Sequence, residues 1–273
     1  MKRALAFGVA LSLLMVPLIV SAARGDVSLT RDPKTGYLTG QVPSGEKTYT
    51  VYVLDQSRDG RYDGFFNTAA PRRFDAFACD LDGNGAVSQE EVLPLSKIVE
   101  VRGAYFSVEA SADGKSLVLK DAKPALGTLT ATSPDVTLLV ASKDCYLRLS
   151  GSDGKWQVPA GTYTVTAVTL KKTDEKGATW TLAAARLPED KFRNIEVKAG
   201  GTTELKAGAP LMTRAQVTEG PGVVAFTPAL VGQSGEVYAT PAAARNNQRQ
   251  AAPKFRIVNR AGKVLASGAF QYG

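Results

Sequence analysis

The sequence predicts a mainly β fold built from two or three small β-sandwich modules. Short runs rich in β-branched and aromatic residues recur along the chain, and Thr48–Leu54 is typical of them. Alternation is visible in Thr162–Leu170, where Tyr163, Val165 and Ala167 share one face and threonines occupy the other. Turns containing Gly, Pro or Asp separate the runs at short, regular spacing, and no segment offers a long amphipathic helix.

The first segment, residues 1–23, is predicted to be a secretory signal peptide. It begins Met-Lys-Arg, continues without charge from Ala4 to Val20 and ends in small residues, with cleavage expected before Ala23 or Arg24. A retained membrane anchor is the alternative, and Gly8 and Pro17 interrupt the apolar run. The sequence therefore predicts a secreted or periplasmic protein with no membrane span after cleavage.

Three further segments follow from the pattern of strands and breaks. Residues 24–122 are predicted to form a β-rich domain that carries two acidic loops, and residues 123–211 a β-sandwich module. Residues 212–273 form a last β segment, either separate or completing the preceding sandwich. The predicted strands after Thr48–Leu54 are, in order, Tyr105–Ala110, Lys115–Lys120, Val136–Val140, Tyr146–Leu149, Thr162–Leu170, Trp180–Ala185, Ile195–Val197, Thr202–Leu205, Val223–Phe226, Gly235–Ala239, Phe255–Val258 and Val264–Phe270.

Composition excludes several classes of site. The chain has no histidine, which removes Ser-His-Asp and Cys-His catalysis, imidazole zinc sites and histidine pH switches. Its formal charge of +7 is a mild surplus without runs of Lys and Arg interleaved with aromatics, so nucleic acid is not an expected partner. Cys79 and Cys145 could form a disulfide outside the cytoplasm or remain as two buried thiols.

The stretch from Asp80 to Glu91 has oxygen-bearing residues at a spacing that suits calcium. Asp80, Asp82 and Asn84 stand at loop positions 1, 3 and 5, and a glycine at position 6 permits the sharp turn. Ala86 at position 7 offers its carbonyl, Ser88 at position 9 can hold a water, and Glu91 at position 12 can chelate with both oxygens. About seven oxygens result, which fits calcium better than the octahedron of magnesium.

This loop resembles the EF-hand calcium loop at every ligand position. The alternative is a solvated turn, because Asp, Asn and Gly are common turn residues. Pro94 follows the last ligand by three residues and would end an exiting helix after about one turn. The loop is therefore predicted to lie between strands, unlike the loop of a calmodulin-type sensor.

A second acidic loop precedes the first along the chain. Asp55, Ser57 and Asp59 repeat the spacing of positions 1, 3 and 5, with Arg61 at position 7 and Asp63 at position 9. Position 12 is Phe66, which cannot coordinate a metal, and Asp75 is the nearest substitute. A second metal site and a hydrogen-bonded Asx turn are both open for this loop.

Two stretches resemble segments of secreted bacterial proteins. The run Trp-Gln-Val-Pro-Ala-Gly-Thr-Tyr-Thr-Val at Trp156–Val165 is similar to carboxypeptidase-regulatory-like or transthyretin-like repeats, which are small immunoglobulin-like sandwiches. Residues 51–120 are similar to a recurring segment in which Asp-rich loops precede an apolar, proline-containing strand, here Leu93–Val101, and a hairpin. The resemblances imply calcium and an envelope or extracellular location, but no reaction.

The leading functional hypothesis is a non-enzymatic secreted or periplasmic protein in which Ca²⁺ is structural. Its sandwich surface would serve adhesion or bind a cell-envelope protein or glycan, with Trp156 and Trp180 either lining a sugar platform or belonging to the core. The alternative is an envelope glycan hydrolase with paired carboxylates. Asp174, Glu189 and Asp190 are available for such a pair, but no catalytic residues are assigned because neighbouring lysines indicate solvated turns.

Overall fold

The computed structural model describes residues 26–67, 73–239 and 243–271. The predicted signal peptide, residues 1–23, lies outside this part of the chain. The fold is mainly β, as the sequence predicts, and is built from two sandwiches and a C-terminal set of hairpins. The longest helix in the described ranges has four residues, so no helix there is long and apolar enough to cross a membrane.

The first sandwich pairs a five-stranded sheet, ordered β2-β3-β4-β5-β6, with a four-stranded sheet, ordered β1-β9-β8-β7. All pairings in it are antiparallel, and its core takes alternate residues from both sheets, for example Val51, Phe77, Phe106 and Leu119. A 3₁₀ turn, Gln89–Glu91, precedes β6. The strands are β1 Val27–Ser28, β2 Thr30–Arg31, β3 Leu38–Ser44, β4 Lys47–Leu54, β5 Ala76–Cys79, β6 Val92–Pro94, β7 Ile98–Val101, β8 Ala104–Ala110 and β9 Leu117–Ala122.

The second sandwich packs a three-stranded sheet against the larger sheet that begins β12-β11-β14-β15. Leu129 and Val158 on the small sheet meet Leu138, Leu147 and Tyr163 on the large one. Its strands are β10 Leu126–Ala131, β11 Val136–Ala141, β12 Tyr146–Leu149, β13 Lys155–Pro159, β14 Gly161–Thr173, β15 Thr179–Arg186, β16 Ile195–Val197 and β17 Thr202–Leu205, and the helix is α1 Glu189–Phe192. The small sheet has the order β13-β10-β17, and β10 and β17 run parallel.

The C-terminal segment extends the large sheet beyond β15. Pairing of Ala184 with Tyr238 joins β15 to β20, and β19 and β18 follow outward. Tyr238 is fully buried in the second core, but every residue of β18 is exposed. The strands are β18 Met212–Gly220, β19 Val223–Val231, β20 Val237–Ala239, β21 Ala244–Arg245, β22 Gln248–Arg249, β23 Lys254–Val258 and β24 Val264–Ala269.

Backbone and side-chain contacts join the two sandwiches. The N–H of Ile98 donates to the carbonyl of Asp144 at 2.8 Å, and the Ser96 hydroxyl accepts the N–H of Tyr146 at 3.2 Å. Tyr105 packs with the second core, and its hydroxyl donates to the carbonyl of Gln157 at 2.8 Å. Because these contacts involve strands on both sides, the sandwiches meet at an ordered interface.

Two details of the predicted strands are wrong. The single strand Leu93–Val101 is split, because the chain leaves the five-stranded sheet after Pro94, buries Leu95 completely and joins the other sheet at Ile98. In β14 a bulge opposite Leu139 changes the alternation, so Val168 rather than Ala167 is buried.

Candidate metal centre

The Asp80–Glu91 loop connects two neighbouring strands of the first sandwich, β5 and β6, as the position of Pro94 predicts. All four residues of β5 are buried, and the N–H of Asp80 continues the ladder by donating to the carbonyl of Thr50 at 2.9 Å. The side chain of Asp80 is therefore placed at the inner end of the loop, where the residue is only 5 % exposed.

Asp80 holds the turn together. Its Oδ1 accepts the N–H groups of Gly83 at 2.8 Å and Asn84 at 3.2 Å, and its Oδ2 accepts that of Gly85 at 3.0 Å. Gly83 and Gly85 have φ values of 73° and 76°, a region that favours glycine. These turns bring positions 1, 3 and 5 of the loop toward a common centre.

Glu91 closes the loop from its far end. Its Oε1 accepts the N–H of Leu81 at 2.7 Å and its Oε2 that of Ser88 at 2.8 Å. Partial burial opposes ionisation of this carboxyl, but the N–H donors of Ser88 and Leu81 outweigh it and lower the pKa of Glu91. The two ends of the loop are thus tied together through one ionised side chain.

One carboxylate oxygen from each of Asp80, Asp82 and Glu91 lies within 4.8 Å of the other two. Asn84 is bound to this group, since its Nδ2 donates to Oδ2 of Asp82 at 2.8 Å and its Oδ1 accepts the N–H of Ala86 at 2.7 Å. Hydrogen bonds thus connect Asp80, Asp82, Asn84 and Ala86, and the bonds of Glu91 to Ser88 and Leu81 attach the end of the loop to this group. Oxygen donors of this kind fit a hard divalent cation such as calcium.

The described part of the chain offers no ion-pair partner to this cluster. Within the described ranges, no lysine or arginine forms an ion pair with Asp80, Asp82 or Glu91. Arg102 donates to the carbonyl of Leu81 at 3.3 Å, so it contacts the loop backbone rather than a carboxylate. Three converging carboxylates without a protein cation repel one another, and a bound divalent ion would remove that repulsion.

The 55–63 loop has a similar backbone but a different charge balance. The carboxylate of Asp55 accepts the N–H groups of Asp59 at 3.2 Å and Gly60 at 2.8 Å. In the Asp80–Glu91 loop, positions 5 and 6 donate to position 1 in the same way. Asp55 also accepts a hydrogen bond from the Ser57 hydroxyl at 3.2 Å. Asp63, however, pairs with Arg61, which lowers the pKa of Asp63. This loop therefore forms a hydrogen-bonded turn and carries its own cation, whereas a metal site at these residues stays an untested prediction.

Asp75 lies beside the 55–63 loop and is fully buried. Its carboxylate accepts the N–H of Ser57 at 3.3 Å and that of Gly64 at 2.8 Å, so it ties the two ends of this loop together much as Glu91 does in the other. Burial raises the pKa of Asp75 despite these donors.

Both cysteines are free and buried, which is the second of the two alternatives left by the sequence. Burial raises the pKa of Cys79 to about 12, and it also raises the pKa of Cys145, whose Sγ lies 3.4 Å from the Tyr163 hydroxyl. Neither thiol contacts the carboxylates of the acidic loop through a hydrogen bond among the described residues.

The carboxylates considered for a hydrolase pair with surface cations. Glu189 binds Arg193 at 2.7 Å, and Asp190 lies 3.3 Å from the Lys191 ammonium. Asp174 accepts the indole N–H of Trp180 at 3.0 Å, and this ring is 40 % exposed with the Arg245 guanidinium 5.7 Å from its centroid. Trp156, by contrast, is only 9 % exposed and belongs to the second core.

Two arginines near the acidic loop were missed by sequence reasoning. Arg102 reaches the loop from the turn between β7 and β8, and Arg148 on β12 lines the same cavities as Glu90 of the loop. Only the outward position of Arg148 between Leu147 and Leu149 in a predicted strand could have suggested an exposed role for it.

Comparison with known proteins adds no assignment to this geometry. No family model, curated protein or solved structure matches the chain.

Proposed function

We propose that this chain is a secreted or periplasmic, non-enzymatic protein of β-modules in which the Asp80–Glu91 loop holds a structural calcium ion. Its sandwich surface would bind a component of the cell envelope, a glycan or a protein. The observation that carries the calcium proposal is the convergence of three carboxylates, within 4.8 Å of one another, without a protein counter-ion among the described residues.

A structural role follows from where the loop lies. Asp80 is 5 % exposed and directly follows a buried strand, and Leu81 packs against the core of the first sandwich. The loop also joins two neighbouring strands, so an ion bound there would fix the pairing of β5 with β6. The short 3₁₀ turn at Gln89–Glu91 leaves no pair of long helices that could open in a sensor-like response.

Calcium titration calorimetry on the chelator-treated chain tests this proposal. Extracellular calcium modules bind with Kd values of about 0.1–1 mM, and we expect binding in this range with a stoichiometry near one. Glu91→Gln should abolish the heat, whereas Glu90→Gln, which removes the same charge from an exposed neighbour, should retain it. No heat at millimolar calcium, or equal heats for the two variants, would refute calcium at this loop.

A glycan array then tests the envelope-binding part of the proposal. The exposed ring of Trp180, with Asp174 and Arg245 beside it, offers a planar apolar surface edged by polar groups. We expect the exported chain to bind at least one envelope polysaccharide, and absence of binding to every glycan would leave a protein partner for a pull-down to identify.

A further inference from the structure

Arg148 is a cation with an unpartnered nitrogen and no ion-pair partner among the described residues. Leu147 and Leu149 on either side of it are buried in the second core, so Arg148 lies on the outer face of the large sheet. Its Nε is buried and has no hydrogen-bond partner. No ion pair of the described residues includes Arg148 either.

An unpartnered donor of this kind is unfavourable. A buried polar atom without a hydrogen bond costs free energy, and the cost is larger for a charged group. A ligand in the groove that Arg148 lines cannot reach the enclosed Nε, but it can pair with the guanidinium charge through the terminal nitrogens.

Arg148 lines a groove of about 540 Å³ on this outer face. Three neighbouring strands, β11, β14 and β15, each contribute a threonine hydroxyl to the groove. Thr137 of β11 is opposite Thr169 of β14, and Lys171 of β14 is opposite Thr181 of β15. Ser150, Ser152 and Asn247 complete the polar lining.

The groove combines two unpaired cations with hydroxyls and contains no aromatic side chain. Lys171 is exposed and, like Arg148, forms no ion pair among the described residues. Of the two acids that line the groove, Asp135 already pairs with Lys172 at 3.9 Å, which leaves the exposed Glu90. Without aromatic rings the groove cannot stack nucleotide bases, whereas hydroxyls and cations suit an acidic sugar.

We propose that this groove binds an acidic glycan, with a uronic-acid carboxylate on the Arg148 guanidinium. The planar fork of arginine matches a carboxylate in two parallel hydrogen bonds, and Lys171 would attract a second carboxylate of the polymer. The threonine and serine hydroxyls would bind ring hydroxyls of the sugar. This inference rests on the proposed function, because it names a glycan class for the sandwich surface, and it places that glycan in the groove rather than on the Trp180 ring, which does not line it.

The test is calorimetry with trigalacturonate, its fully methyl-esterified form and a hexaglutamate peptide, each added to the exported chain in chelator and again in calcium. We expect the acid to bind and the ester not to bind, with an affinity that falls as salt rises. Arg148→Gln should weaken binding about tenfold or more, since hydrogen bonds to charged groups are the strong ones. Lys198→Gln removes the same charge from an exposed site outside the groove and should bind as the wild type does.

Several outcomes would overturn the acidic-glycan groove: no heat with millimolar trigalacturonate, equal binding of the ester, or equally tight binding of hexaglutamate. If Arg148→Gln fails to fold, Lys171→Gln replaces it in the comparison with the wild type, because Lys171 is exposed. We then expect a smaller loss of affinity for trigalacturonate. Loss of calcium binding in Glu91→Gln is measured separately. If the wild type binds trigalacturonate but gives no heat with calcium, the calcium proposal for the Asp80–Glu91 loop is refuted and the glycan proposal stands. If it binds calcium but gives no heat with trigalacturonate, only the glycan proposal is refuted.

Discussion

Replacing Glu91 with glutamine removes one negative charge and one of the two oxygens that close the acidic loop. In the wild type, Oε1 accepts from Leu81 at 2.7 Å and Oε2 from Ser88 at 2.8 Å. Glutamine has a single acceptor oxygen, and its NH₂ group would face a backbone N–H that also donates. The variant therefore loses both bidentate coordination of calcium and one closing hydrogen bond.

The size of the effect follows from mass action. With a Kd of about 0.1–1 mM, about 10 mM calcium stabilises the folded chain by about 1.4–2.7 kcal/mol. For a chain of this length each kcal/mol raises the melting temperature by about 2–4 °C, so the expected gain is about 3–10 °C. A charged bidentate ligand contributes about 2.7 kcal/mol, which corresponds to about a hundredfold in Kd. Because Glu91→Gln loses this contribution, calcium should raise its melting temperature by less than about 2 °C.

Differential scanning fluorimetry with calcium, with magnesium and with chelator measures these gains. Glu90→Gln is the matched control, because Glu90 is the exposed neighbour and its removal changes the net charge equally. The control should keep the wild-type gain, and magnesium should give little. A wild-type gain that persists in Glu91→Gln, or that disappears in Glu90→Gln, would contradict the assignment of the site to the closing carboxylate.

Three more predictions concern packing, thiols and pH. Gly127→Ala should cost at least about 1–3 kcal/mol in denaturant unfolding, because the new Cβ would lie 2.2 Å from a backbone carbonyl oxygen, and Gly161→Ala, with nothing within 4 Å, should be nearly neutral. At pH 8 the buried thiols of Cys79 and Cys145 should resist a thiol reagent, since the pKa of Cys79 is raised to about 12, and two thiols should react after denaturation; fewer than two would reveal a disulfide. Burial raises the pKa of Asp75, so the folded chain binds this proton more tightly than the unfolded chain, and the group favours folding as pH falls toward its ordinary value of 3.8. The wild type should therefore lose stability relative to Asp75→Asn as pH rises above 3.8, and identical pH profiles of unfolding for the two chains would contradict this.

The strands that the sequence predicts well are those with one buried and one solvated face. β4 and β14 begin within a residue of their predicted starts, because alternation and β-branched composition are local signals. β5 was missed because Ala76–Cys79 is buried on both faces and shows no alternation. β10 was missed because Leu126–Ala131 begins within a Pro- and Gly-containing stretch that reads as a linker.

The candidate site also has features that local sequence predicts and contacts that only the packing of separate strands determines. The six predicted ligands lie within twelve consecutive positions, so local spacing was enough to predict that Asp80, Asp82 and Glu91 lie together, as they do. The contacts of Arg102 with Leu81, and the shared cavities of Glu90 and Arg148, depend on how separate strands pack. The pairing of Asp63 with Arg61 is local, but which partner an acidic side chain chooses depends on rotamers that spacing does not determine.

The parallel pairing of β10 with β17 has a mechanical consequence. The chain enters the second sandwich at β10 and leaves its small sheet at β17, and Thr128 to Ala131 align with Thr202 to Leu205. A force that pulls the start of β10 away from the end of β17 acts along both strands. Their ladder bonds then carry the load together in shear rather than opening one after another, so this pair would resist tension between the ends of the module.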